Sequence, residues 1–178
     1  MTDTLRPATA ADVEAVAAVW YAGWGDGHLG HVPDELVAVR TKETFWSRAA
    51  ERVADTTVAV VGDEVAGFVM VTGDEVEQVY VSRDHRGSGV AGTLLSEAER
   101  QVKANGHSEA WLAVAAGNAR ARRFYERSGW SDGEPSITPP PWETVRFRCR
   151  VIGTSSRSDA EDSPALGVYG GCIGSEWS

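Results

Sequence analysis

Apolar residues near the start of the chain recur at intervals of three and four. After Leu5 and Arg6, enough for one short strand, Thr9 stands where a helix cap is expected, and Val13, Val16, Ala17 and Trp20 then fall on one helical face. Asp12 and Glu14 occupy the first turn, where the helix dipole favours negative charge. The text of residues 23–33, GWGDGHLGHVP, breaks this period and predicts a mobile loop. Leu36, Val39, Phe45 and Trp46 resume it and predict a second helix over 34–54. The period then shortens: residues 57–61 and 65–72 read as a hairpin about a Gly62-Asp63-Glu64 turn, and residues 76–81 as a further strand.

Behind that strand comes a glycine-rich turn, RGSGVAG, and then an amphipathic helix with Leu94, Leu95, Ala98 and Val102 on one face and Glu97, Glu99, Arg100 and Lys103 on the other, ending near Asn105 and Gly106. A strand over 110–114, a loop over 115–118 and a short helix over 119–128 closed by Gly129 follow. The chain is then expected to turn through PSITPPP. Its last strand, TVRFRCRV, alternates Val145, Phe147, Cys149 and Val151 with Arg146, Arg148 and Arg150. From Gly153 onward serine and glycine dominate without periodicity. These limits predict one folded domain over 1–152 and a disordered low-complexity tail over 153–178.

Composition narrows the partners. A net charge of −9 over 178 residues argues against nucleic acid and anionic membranes and favours a cationic small molecule. Two cysteines, Cys149 and Cys172, make no disulfide framework, and no Cys/His spacing suggests a metal. No secretory leader and no run of about 18 apolar residues is present, so a cytoplasmic protein is expected. His28 and His31 lack a third ligand and are given no chemistry. Trp20, Tyr21 and Trp24 read either as core or as the lining of a pocket.

The glycines carry the chemistry. A strand that turns into a helix through Gly87, Gly89 and Gly92 brings bare main chain close to a ligand and aims the free N–H groups of the helix's first turn at an anion. GSGVAG also satisfies the dinucleotide pattern GxGxxG, with Glu109 about 20 positions on, but the turn lies mid-chain behind a hairpin with too little chain left for a dinucleotide fold. No GK[ST] follows, so a Walker loop is excluded.

Together with NARARRFYERSGW (118–130), the turn resembles the GCN5-related N-acetyltransferase family. That family's cofactor motif, Gln or Arg, two residues, Gly, one residue, Gly or Ala, is matched by Arg86, Gly89 and Ala91. Its second signature is matched by Asn118, Phe124, Tyr125, Glu126, Gly129 and Trp130. The resemblance covers about residues 5–151 and implies an α/β fold: a mixed, twisted sheet of six to seven strands with helices on both faces, its parallel fourth and fifth strands splayed apart.

It further implies acetyl transfer from acetyl-CoA, as co-substrate, to the primary amine of a small molecule. The pantetheine arm would pair with Val79, Tyr80 and Val81, and the pyrophosphate would rest on Arg86, Gly87, Ser88, Gly89, Val90, Ala91 and Gly92. Asn118 would bind the cofactor arm. Tyr125 would protonate the leaving thiolate, and Glu75 or Glu77, on one strand face, would act as base. Arg120, Arg122 and Arg123 could reach the phosphates or coat a helix. A homodimer through the last strands fits the resemblance. A non-catalytic acyl-CoA-binding domain of the same fold is the alternative, and a toxin acting on charged tRNA would want a basic surface that this chain lacks.

Overall fold

A computed structural model describes residues 4–136 and 144–151. The tail of 153–178 and the proline-rich stretch of 137–143 lie outside the described residues, as does Cys172. The elements are β1 (Thr4–Pro7), α1 (Val13–His28), α2 (Asp34–Val39), α3 (Lys42–Glu51), β2 (Thr56–Val61), β3 (Glu64–Thr72), β4 (Glu75–Val81), α4 (Val90–Ala104), β5 (Glu109–Ala115), α5 (Ala119–Arg127), β6 (Ser131–Ser136) and β7 (Thr144–Arg150). The strands form one sheet in the order β1-β2-β3-β4-β5-β7-β6. Every neighbouring pair is antiparallel except β4 and β5.

Each face of the sheet carries its own apolar layer. Val90, Leu94, Leu95, Ala98 and Val102 of α4 and Tyr125 of α5 pack on Val69, Val71, Val76, Leu112, Val145 and Phe147. On the other face Val16, Trp20 and Trp24 of α1, Leu36 of α2 and Phe45 of α3 pack on Val58, Phe68 and Met70. This two-sided burial is why β3 reads as an almost continuous apolar run, whereas β7 alternates.

Three sequence expectations are corrected. Residues 23–33 are not a loop throughout, because α1 continues through Gly23, Gly25 and Gly27 to His28. A helical glycine costs about 1 kcal/mol relative to alanine, but two of these allow close packing. A Cβ on Gly23 would overlap the Tyr80 ring of β4, and one on Gly27 would lie 2.8 Å from Asn118 Nδ2. Spaced by four, Gly23 and Gly27 share the helix face turned to the site.

The helix expected over 34–54 is two helices. Arg40 leaves helical geometry (φ −92°, ψ 65°) and Thr41 caps α3, its hydroxyl accepting from Thr44 N at 3.3 Å. The turn read at PSITPPP begins as strand: β6 runs to Ser136 and pairs with β7 across a register shift between Asp132 and Pro135. An edge position and a bulge are where a strand accepts Gly and Pro, so neither signalled a strand in the sequence.

Gly67 of β3 holds α4 close to the sheet beside the site. A Cβ there would meet Tyr80 O at 2.6 Å and Leu94 Cδ1 at 2.9 Å. Gly67→Ala should lower stability by about 1–3 kcal/mol in denaturant unfolding; an unchanged midpoint would show that this contact is not tight.

Candidate active site

β4 and β5 share one register pair, Glu75 with Trp111, and part beyond it. That pair is well secured: Trp111 N donates to Asp74 O at 3.0 Å, Trp111 Nε1 donates to Asp74 Oδ1 at 3.2 Å, and the Arg146 guanidinium sits 4.3 Å from the Trp111 ring centre. A bulge then turns β4. Met70 of β3 pairs with Gln78 but Val71 pairs with Val76, so Glu77 is the extra residue. Beyond this bridge β4 and β5 share no further register pair among the described residues, the splay expected of the fourth and fifth strands.

The gap is a narrow slot of about 70 Å³, lined by Gly27 and His28 of α1, residues 76–80 of β4, residues 112–115 of β5, and Asn118, Ala121 and Tyr125. It adjoins an open cleft of about 470 Å³ bordered by Val79, Tyr80, Val81, Arg86, Gly87, Gly89, Ala91, Gly92, Asn118 and Tyr125. One continuous feature therefore brings together most of the residues singled out in the sequence.

The glycine turn is bare. Gly87 and Gly89 have φ of 79° and 95°, and a Cβ on Gly87, Gly89 or Gly92 would meet nothing within 4 Å. Gly89 is the N-cap residue of α4 and makes no side-chain cap, which leaves the first-turn N–H groups to the cleft. The Ser88 hydroxyl is turned to the chain itself, donating to His85 O at 2.6 Å. Val90 is buried and contributes main chain only.

Arg86 is otherwise engaged. Its Nη2 donates to Asp26 of α1 at 2.6 Å, and Arg83 adds donations at 2.6 and 3.1 Å. The Arg83 bonds, helped by Arg86, hold the Asp26 carboxyl down at about 2 against the opposing effect of burial.

Across the cleft Asn118 caps α5, its Oδ1 accepting from Ala121 N at 3.1 Å. Tyr125, 8 % exposed, packs on Phe124, Trp130 and Phe147 and lines both slot and cleft. The two β4 carboxylates are placed unequally. Glu77 lines the slot, with its carboxylate 2.6 Å from Arg52 at the end of α3. Glu75 is buried at the closed end, opposite Thr72. Trp20 is core, Tyr21 is exposed, and Trp24 stacks on His28.

A family model for the acetyltransferase (GNAT) family matches residues 20–130. The chain belongs to that family. As a GNAT enzyme it is an acyl-CoA-dependent acetyltransferase with acetyl-CoA as co-substrate. Among solved structures, PaiA N-acetyltransferase of Thermoplasma acidophilum in complex with coenzyme A has a TM-score of 0.70 at 18% identity, covering 84% of this chain and 99% of its own. A GCN5-related N-acetyltransferase of Rhodopseudomonas palustris gives 0.67 at 20% identity, with 84% and 96% covered. YncA of Salmonella typhimurium, with its cofactor acetyl-CoA, gives 0.63 at 18% identity, with 90% and 100% covered. No curated protein matches.

The GNAT motifs account for the bare turn and the parted strands, which suit an extended diphosphate-bearing thioester. Reasoning from sequence missed His85 and Arg127, which line the cleft, and His28 in the slot. Of the arginine run, Arg120 lines the cleft, whereas Arg122 donates to Ala116 O and Asp132. Spacing could have found Arg127, one helical period of seven from Arg120. Among the described residues no helix is long and apolar enough to cross a membrane, and no group of three His, Cys, Asp or Glu could hold a metal.

Gly89→Asp puts a side chain on a left-handed residue and a carboxylate in the cradle. Calorimetry should show CoA binding weakened by roughly tenfold or more; normal affinity would remove the turn from the binding site.

Proposed function

We propose that this acetyltransferase moves an acetyl group from acetyl-CoA to the primary amine of a small cationic molecule, directly and within a ternary complex. The observation that carries the reading is the slot, which is walled by α1 on one face of the sheet and by α5 on the other. The gap gives the two substrates access to one another from opposite sides of the sheet. In this reading the chain's residues bind the pantetheine arm with the main chain of Val79, Tyr80 and Val81, the diphosphate with the turn from Arg86 to Gly92, and the arm's amides with Asn118.

Electrostatics supports a cationic acceptor. The net charge of the chain is −9. Direct transfer is supported by Cys149. It lies on β7 and lines neither cavity, and burial, reinforced by Glu99, pushes its thiol up to about 11, far from the thiolate an acyl carrier needs. A cytoplasmic location belongs to the same reading and is consistent with Cys149 being a free thiol.

Tyr125 is assigned the proton donor to the departing thiolate. The residue is buried and lines both slot and cleft, along the route this reading gives the cofactor arm. Tyr125→Phe should lower kcat by roughly tenfold or more with CoA binding nearly intact. Thiol release measured over a panel of primary amines tests both parts. An unchanged rate removes the acid role, and a protein that binds CoA but releases no thiol with any amine is a binding module.

A further inference from the structure

His28 belongs to neither motif, yet it ends α1 inside the slot, beside Gln78, Asn118 and Tyr125. It is 6 % exposed and its ring stacks flat on Trp24, with centres 4.9 Å apart. Nδ1 lies 2.9 Å from the Trp24 carbonyl oxygen, which can only accept, so Nδ1 carries the proton. Nε2 is then a bare lone pair. The bond to Trp24 is the one hydrogen bond the His28 side chain makes among the described residues.

We propose that His28 is the catalytic base, its Nε2 taking the proton of the acceptor nitrogen. The inference rests on the acetyl-transfer reading and assigns the proton transfer for which Glu75 and Glu77 were the sequence candidates. Glu77 is committed to Arg52, and Glu75 is not among the residues that line the slot. A second observation marks the same spot as an amine site. Gln78, 4 % exposed and lining the slot, has an Oε1 with no hydrogen-bond partner among the described residues, an acceptor for another N–H of the amine.

His28 and Tyr125 also stand on opposite sides of the sheet. The ring of His28 lies against Trp24 of the α1–α3 layer, and Tyr125 belongs to the α4–α5 layer. The reaction needs that division. The neutral amine bonds to the thioester carbon as the carbonyl π pair moves to oxygen, and the new N–H⁺ gives its proton to Nε2. The oxyanion pair then re-forms the C=O bond as the C–S bond breaks with its pair on sulfur, which takes the Tyr125 hydroxyl proton. The imidazolium proton returns through solvent to the tyrosinate, so amine and thioester become amide and thiol with both side chains restored.

Burial first, and then the nearby charge of Arg40 and His31, holds the imidazole below its usual range, partly opposed by the Trp24 carbonyl. It is therefore neutral at pH 7. That suffices, because nitrogen bonded to a carbon bearing oxygen and sulfur is far more acidic than the free ammonium. The charged or titratable groups around the ring are Glu77 and Tyr80 from β4, Tyr125 from α5, His31 from the α1–α2 connection and Arg40 after α2. Asp26 on α1 itself is paired with Arg83 and Arg86, and Leu112, Ala113, Val114 and Ala115 of β5 carry no charge.

With a primary amine that supports thiol release, wild-type kcat should fall as pH drops through one ionisation below the usual imidazole range of about 6.5. Nitrogen NMR should show His28 as the Nδ1–H tautomer, titrating at the same pH. His28→Gln should bind CoA as the wild type does, yet lose on the order of a hundredfold in kcat together with that ionisation, while Glu77→Gln retains it. A kcat for His28→Gln within about threefold of wild type, or an Nε2–H tautomer, would falsify the assignment. If His28→Gln does not fold, Glu77→Gln decides: loss of the ionisation there, with His28 intact, moves the role to the carboxylate. A wild type that binds CoA but releases no thiol with any amine instead sinks the acetyl-transfer reading itself.

Discussion

Two parallel strands that meet at one pair, Glu75 with Trp111, leave main-chain donors and acceptors along both sides of the gap without strand partners. Each such group left unsatisfied and dry costs on the order of 1–3 kcal/mol, so a gap of this kind suits an extended ligand that completes it. The rest of the architecture serves that gap. The indole of Trp111, held by Asp74 and Arg146, secures the closed end, and the bulge at Glu77 turns β4 away from β5. The glycine turn lies at the open end because β4 leads straight to it.

Packing of α1 sets the width of the slot. Gly23 admits the Tyr80 ring and Gly27 admits the Asn118 amide, so the helix comes close to β4 and to the cap of α5 at once. This close approach carries His28 to the slot, one residue beyond Gly27. A side chain at either glycine would lift the helix and the imidazole together. The stacking on Trp24 and the bond to its carbonyl then fix the ring, because both partners lie one turn back on the same helix. Position and tautomer thus have separate local causes, and neither depends on the loops that follow.

What could be read in the sequence was whatever local rules determine. The periods of α4 and β7, the hairpin at Gly62 and the glycine turn are consequences of residues within one window, and they stand in the structure as expected. The α1 extension was not readable, because GWGDGH satisfies every rule for a loop and becomes helix only through contacts with Tyr80 and Asn118, more than fifty and ninety positions away. β6 was hidden likewise, since its pairing on β7 tolerates residues that no strand rule selects. At the site, Tyr125 and Asn118 came with a motif. His28 depended on the misread helix, and the difference between Glu75 and Glu77 depended on a bulge that no residue pattern announces.

Charge divides the two sides of the slot. A chain of net −9 is an unpromising partner for a diphosphate as a whole, yet the cleft collects Arg86, Arg120 and Arg127 around the bare turn. Field lines from such a cluster stay local at physiological salt, where screening acts over about 8 Å, so the negative balance of the rest of the chain does not cancel them at the turn. Asp26 sits at the junction. Its carboxylate binds Arg86 of the turn and Arg83 just before it from within α1, two residues before His28. An anion seated on the turn would compete with Asp26 for Arg86, and the ion-paired cluster thus ties the turn to α1. The negative balance of the chain and a turn suited to an anion are consequently compatible, because the arginines act at short range around the cleft.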